Sequence, residues 1–184
     1  KDSGRVGQGD EAAVSFGDIA VLYRLNAQAH CLREAFERSG IPFHISGEPV
    51  QEAAGDVVTD VYSSANREPE LKAEKVMLLT IHAAKGLEFS AVFIVGCEQP
   101  LLPLDLEGLT SDKEEERRLF YVGMTRARER LYLVRAQRRA LYGKSYHGTP
   151  SPFLTDIEEG LKEYEKTTSK GGRRKTNEEQ TLLF

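Results

Sequence analysis

Five short apolar runs, spaced by helix-length stretches, constrain this chain more than any other feature. They are Ile19–Tyr23, Phe43–Ser46, Val76–Ile81, Ala91–Val95 and Leu131–Val134. Runs this short and rich in branched side chains read as buried strands. The stretch after the first run starts at Asn26, whose side chain can cap a helix, and places Leu32, Ala35 and Phe36 on one face. Gly40 ends it, and Ile41-Pro42 prevents continuation. Val50, Ala53, Ala54, Val57, Val58, Val61, Tyr62 and Ala65 form a second helical stripe, broken by polar residues 66–70. A third helix is expected from about Lys113 to Arg128, and a short last one within Ser151 to Leu161. Pro100 to Asp112, with two prolines, reads as a loop. Strands alternating with helices predict one α/β domain, a parallel sheet covered on both faces.

The chain has 184 residues, 40% apolar and 29% charged, enough for one domain with a core. Its net charge of -4 supplies no global basic field. Any polyanionic partner would then have to be held by local groups or by another domain. Cys31 and Cys97 fit no metal spacing and read as buried free thiols of a reducing, cytoplasmic environment. No signal peptide or bilayer-spanning apolar run is evident. Residues 1–15 read as a flexible lead-in, 16–161 as the domain and 162–184 as a disordered tail.

Two stretches place charged and polar groups where a plain core segment would not. Strand Val76–Ile81 runs straight into His82-Ala83-Ala84-Lys85-Gly86-Leu87-Glu88-Phe89. Ligands of open parallel sheets collect at the carboxyl ends of strands, where this segment is expected. Gly86 lets the backbone turn or approach a ligand closely. The bland alternative is an ordinary connection with Lys85 and Glu88 in solvent. In the second stretch, Glu115 to Ala127, a helix puts Leu119, Val122 and Arg126 nearly on one line. A guanidinium on an apolar face stays charged and needs a partner, either a buried carboxylate or an anionic ligand. Taken alone, Glu115-Glu116-Arg117-Arg118 reads as a solvated helix start, with acids near its positive end.

Together, Thr80–Phe89 and Glu115–Ala127 resemble the last two signature motifs of the superfamily 1 DNA helicases of the UvrD, Rep and PcrA type. Tyr23-Arg24-Leu25-Asn26-Ala27-Gln28 resembles that family's Tyr-Arg-Thr-Asn-Ala-Gln pattern, with Leu25 lacking the hydroxyl. The resemblance spans roughly Phe16 to Leu154. It implies the second RecA-like motor domain of such a helicase, a P-loop NTPase-type fold without its own Walker A loop. No Gly-x-x-x-x-Gly-Lys-Ser/Thr string occurs in the sequence. The expectation is therefore a fragment or half of a split protein, with the first RecA-like domain supplying that loop and holding most of the Mg²⁺. The large family insert is expected to be absent or removed near residues 47–74.

The same resemblance assigns roles. ATP would lie between the two domains, with Glu88 meeting the ribose and Arg126 reaching the γ-phosphate as an arginine finger. Gly86 and Tyr121 would line that cleft. Single-stranded DNA would cross the opposite surface over Arg24, Asn26, Thr80 and His82, though Asn26 reads equally as a helix cap. The implied activity is ATP-driven translocation on single-stranded DNA and duplex unwinding in repair or replication, with this chain inactive alone. A non-motor docking module and the helicase subunit of a recombination nuclease are the competing functions. The terminal Gln180-Thr181-Leu182-Leu183-Phe184 resembles the short peptides that dock on the bacterial replication sliding clamp. There Leu183 and Phe184 would fill an apolar pocket and Gln180 would bond its rim. The competing reading is a tail that packs on its own domain or frays.

Overall fold

A computed structural model describes residues 14–46, 74–106, 108–166 and 181–182 of the protein. In chain order the elements are β1 (Ile19–Tyr23), α1 (Ala27–Ser39), β2 (Phe43–Ile45), β3 (Val76–Thr80) and β4 (Phe89–Val95). The two-residue strands β5 (Glu98–Gln99), β6 (Asp105–Leu106) and β7 (Leu109–Thr110) follow, then α2 (Lys113–Met124) and β8 (Ala127–Val134). Beyond them lie β9 (Arg138–Leu141), β10 (Lys144–His147), β11 (Thr149–Pro150), α3 (Pro152–Thr155), β12 (Glu165–Lys166) and β13 (Thr181–Leu182).

The five expected strands make one sheet in the order β2-β3-β1-β4-β8, and every pairing is parallel. Alternation sorts each strand into two faces. Val21 and Tyr23 of β1, Val76 and Leu78 of β3 and Phe93 of β4 join one cluster, which Leu32 and Phe36 of α1 cover. Ala20, Leu22, Leu79, Val92, Ile94 and Leu133 join the other, with Phe120 of α2 and Phe153 of α3. This is the α/β architecture the sequence predicts, with helices on both faces.

Local chemistry explains the helix ends, with one correction. Asn26 holds the N-cap position of α1, but its side chain makes no capping bond. Gln28 instead ties the incoming chain to the first turn, its Oε1 accepting from Arg24 N–H at 3.0 Å and Leu25 N–H at 2.9 Å, both ahead of the helix. At the other end Gly40 turns left-handed at φ 66°, and Ile41 N–H returns to the Phe36 carbonyl at 3.1 Å. That closure needs a residue without a Cβ penalty. Asp112 caps α2, accepting from Glu114 N–H at 2.8 Å.

Other expectations change more. Pro100 to Asp112 is not a plain loop. Leu101, Leu102, Leu104 and Leu106 are buried and β6 and β7 pair; Leu102 joins the cluster under α2, while Leu101, Leu104 and Leu106 form a third apolar cluster with Leu141. Proline stops regular structure without removing the drive to bury leucine. Residues 138–147, which gave no strand signal, form the β9–β10 hairpin, closed by Tyr142 and Gly143 at φ 50° and 74°. Such a pair fits a two-residue turn that follows strand twist. Under this hairpin, Glu98 is 1% exposed and bonds Arg139 Nε at 2.7 Å and Ala136 N–H at 3.0 Å. The last helix covers only Pro152–Thr155, followed by a 3-10 turn at Glu159–Leu161. Cys31 is exposed, because it lies on the outer side of α1, while Cys97 is buried and its burial pushes the thiol pKa up. The expected helix from Val50, the lead-in and most of the tail lie outside the described residues. Among the described residues, no helix is long and apolar enough to cross a membrane.

Candidate functional site

A parallel sheet has two unlike edges, and the singled-out residues divide between them. The carboxyl edge carries Arg24 and Asn26 after β1 and Thr80 and His82 at the end of β3. Ile81 N–H donates to the Tyr23 carbonyl at 2.9 Å, so the two segments leave the sheet side by side. Thr80 Oγ1 accepts from Ala83 N–H at 3.1 Å and shapes the turn over 81–86. His82 and Asn26 are exposed.

Residues 81–88 then cross the sheet with no helix, because β4 starts at the opposite edge from the end of β3. Ala84 is fully buried and anchors the crossing. Leu87 and Glu88 thus reach the amino edge, against the expectation that the whole motif sits at carboxyl ends. Gly86, at φ 86°, turns the chain there with nothing near its missing Cβ. The crossing obeys the motif's own composition: small Ala83 and Ala84, then a glycine free to turn.

Arg126 is also at the amino edge, but not on a helix. α2 ends at Met124, Thr125 caps it, and Arg126 N–H donates to the Gly123 carbonyl at 3.2 Å. The expected line of Leu119, Val122 and Arg126 on one helix is therefore broken, because β8 begins at Ala127 and draws the chain extended. The guanidinium folds back on its own turn. Nε donates to the Val122 carbonyl at 3.0 Å, Nη1 to the Leu87 carbonyl at 3.1 Å and Nη2 to Thr125 Oγ1 at 3.0 Å. These three acceptors are neutral. The Arg126 carbonyl accepts from Phe89 N–H at 2.9 Å, which locks the two motifs together. Beside it, exposed Glu88 meets Arg128 Nε at 3.0 Å. Tyr121, one turn before Thr125, is 63% exposed, and Leu87 is also exposed. The amino edge therefore gathers Gly86, Leu87, Glu88, Tyr121, Arg126 and Arg128.

At the carboxyl edge Arg24 is engaged. Its Nε reaches both oxygens of Glu116 at 3.1 and 3.0 Å, and Nη2 reaches Oε1 at 2.7 Å. Glu116 is buried, not part of a solvated helix start, and also accepts from Leu104 N–H at 3.3 Å. Burial alone would push its carboxyl pKa up. The bonds from Arg24 and Ser111, the Arg24 charge and the Leu104 N–H outweigh burial and hold it below the ordinary glutamate value. Sequence reasoning missed Glu116 and Arg128 as partners. Glu116 carried one usable signal: it falls on the same helical face as Phe120 and Gly123. The terminal Gln180, Leu183 and Phe184 lie outside the described residues.

The arrangement is a parallel α/β sheet with a guanidinium and a carboxylate at one edge and hydroxyl, amide and imidazole groups at the other. Residues 56–138 match the family model described as the UvrD-like helicase C-terminal domain. The ATP-dependent DNA helicase Rep of Buchnera aphidicola (subsp. Schizaphis graminum) is 44% identical over 98 residues, 53% of this chain and 15% of that protein. The ATP-dependent DNA helicase PcrA of Leuconostoc citreum is 44% identical over 110 residues, 59% of this chain and 14% of its own length. DNA helicase II of Escherichia coli (strain K12) is 47% identical over 87 residues, 47% of this chain and 12% of that protein. The aligned part is thus a small share of each relative. A solved structure described as the C-terminal domain of a possible DNA helicase from Lactobacillus plantarum WCFS1 overlays with a TM-score of 0.48 at 19% identity, covering 78% of this chain and 64% of that one.

Proposed function

We propose that this domain is the second motor half of an ATP-dependent DNA helicase. The observation that carries the reading is the state of Arg126. Its guanidinium is held at the amino edge by two carbonyls and a hydroxyl, so its orientation is fixed while its full positive charge remains for an incoming anion. A carboxylate partner would have cancelled that charge. A first RecA-like domain facing this edge supplies the phosphate-binding loop and holds the Mg²⁺. ATP then lies between the domains. Arg126 meets charge developing on the γ-phosphoryl, a role worth about 10³ to 10⁵ in rate. Glu88 exchanges Arg128 for the ribose hydroxyls, and Gly86 and Tyr121 line the cleft.

The opposite edge faces single-stranded DNA. Thr80, Asn26 and His82 present groups that bond phosphate oxygens, and the imidazole can also stack on a base. Closing and reopening of the domain pair moves the strand and separates the duplex, in repair or replication in the cytoplasm. The relatives' names favour this motor over the docking module and the nuclease subunit. The domain spans 16–161, and Gln180, Leu183 and Phe184 of the tail dock on the replication sliding clamp.

The test is phosphate release with single-stranded DNA present, first by this chain alone and then with the first motor domain added. The proposal expects background release alone and DNA-dependent turnover from the pair. Robust turnover by the chain alone would overturn it.

A further inference from the structure

We propose that Arg24 and Glu116 are a positioning pair that ties the DNA-facing edge to α2 and so sets the reach of Arg126. The inference rests on the function proposed above and adds a route between its two edges. Arg24 had been expected to touch the DNA backbone. Two of its three guanidinium nitrogens are instead committed to one buried carboxylate, in a fork that fixes orientation as well as distance. The side chain of Glu116 is 3% exposed and cannot itself touch DNA.

The pair sits where movement at the DNA edge must pass. Arg24 N–H and Leu25 N–H are both held by Gln28 of α1, and Tyr23 is bonded to Ile81 next to Thr80 and His82. A strand pressed on that surface therefore loads the Arg24 turn. Glu116 passes the load to α2, which sits on the sheet through one stripe, Glu116, Phe120 and Gly123. Phe120 stacks on Phe153 at 5.8 Å, and Gly123 brings the helix backbone close against Ile94, Ile81 and Leu22. With 12 residues, α2 is about 18 Å long, enough to reach from one sheet edge to the other. Its far end carries Tyr121, Thr125 and Arg126. A rigid helix fixed by a polar clamp at one end and a catalytic arginine at the other is a physical element that both sites can bias.

The experiment uses the two-domain protein with Arg24→Gln, Glu116→Gln and the double variant, reading turnover with and without single-stranded DNA, KM for ATP, DNA affinity and its salt dependence. Glu116→Gln is expected to cut the stimulation by DNA about tenfold, within the usual span of coupling between sites. DNA affinity should stay within about threefold, and the double variant should be no worse than the worse single one. If Glu116→Gln does not fold, the double variant, which buries no unpaired charge, is held to the same criterion. The inference is overturned if Glu116→Gln keeps full stimulation while Arg24→Gln weakens DNA binding and lowers the salt slope by about one, the mark of a direct phosphate contact. Arg126→Ala run alongside separates the two ideas. If that variant keeps near-normal turnover, the function itself fails; if it is dead and stimulation survives in Glu116→Gln, only the coupling fails.

Discussion

Gly123→Ala is the sharpest probe of how tightly α2 is seated. A Cβ built on Gly123 would stand 3.0 Å from Ile94 Cδ1, 3.2 Å from Ile81 Cγ2 and 3.8 Å from Leu22 Cδ1. Carbon pairs prefer about 3.5 to 4.0 Å, so the first two contacts are short by a few tenths of an ångström. Ile94 and Ile81 are 0% and 1% exposed and have little space to yield. Overpacking of this kind costs about 1 to 3 kcal/mol. Alanine regains about 1 kcal/mol of helix propensity. The expected balance is a loss of about 1 kcal/mol, read as a lower urea midpoint with an unchanged slope. Ile94→Val removes the closest methyl and should restore part of the loss when combined with Gly123→Ala, a non-additive pair. If Gly123→Ala instead gains about 1 kcal/mol, the helix is not pressed on the sheet and the seating argument fails.

Two further predictions follow from the same contacts and from the tail. Glu116→Gln should destabilise the fold by about 2 to 4 kcal/mol at neutral pH, since it leaves the Arg24 charge without its counterpart. Because the folded carboxyl sits below its ordinary value, its contribution is present above the unfolded value and is lost as pH falls through the folded one. The gap between parent and variant should narrow with acidification, and a gap that widens on acidification would contradict this. For the tail, a peptide from Lys175 to Phe184 should bind purified sliding clamp, and Leu183→Ala with Phe184→Ala should abolish binding. Unchanged binding by that variant would remove the docking idea.

The strands were legible because burial on both faces leaves a continuous apolar run, as at Ile19–Tyr23. Gly40 and the helix-stopping Ile41-Pro42 located the end of α1 for equally local reasons. What failed was set by partners distant in sequence. Glu116 looked like one more acid in a charged helix start, and only Arg24, 92 positions away, explains why it is buried. Asn26 is the local exception: it makes no capping bond, and the longer Gln28 side chain holds the two N–H groups that precede it. Leu101 to Leu106 looked like loop because prolines signal turns, while Leu101, Leu104 and Leu106 are buried against Leu141 and Tyr146 of the β9–β10 hairpin. The end of α2 was misplaced because helical spacing continues formally through Arg126, whereas pairing of Ala127 with Phe89 ends the helix early. The motif residues themselves were found, but the crossing of 81–88 from one sheet edge to the other required the strand order.

The most direct test of the account is Arg126→Ala in the two-domain protein, with turnover and nucleotide affinity measured on the same preparation. A group that stabilises charge developing in the transition state lowers turnover far more than ground-state binding when removed. The account predicts a fall in DNA-stimulated hydrolysis of about 10³-fold or more with ATP affinity largely kept. Arg126→Lys should fail nearly as badly, because an ammonium cannot reproduce the planar fork now shared among Val122, Leu87 and Thr125. Near-normal turnover in Arg126→Ala would make this arginine a structural brace for the turn between α2 and β8, and would contradict the assignment of the amino edge as a nucleotide site.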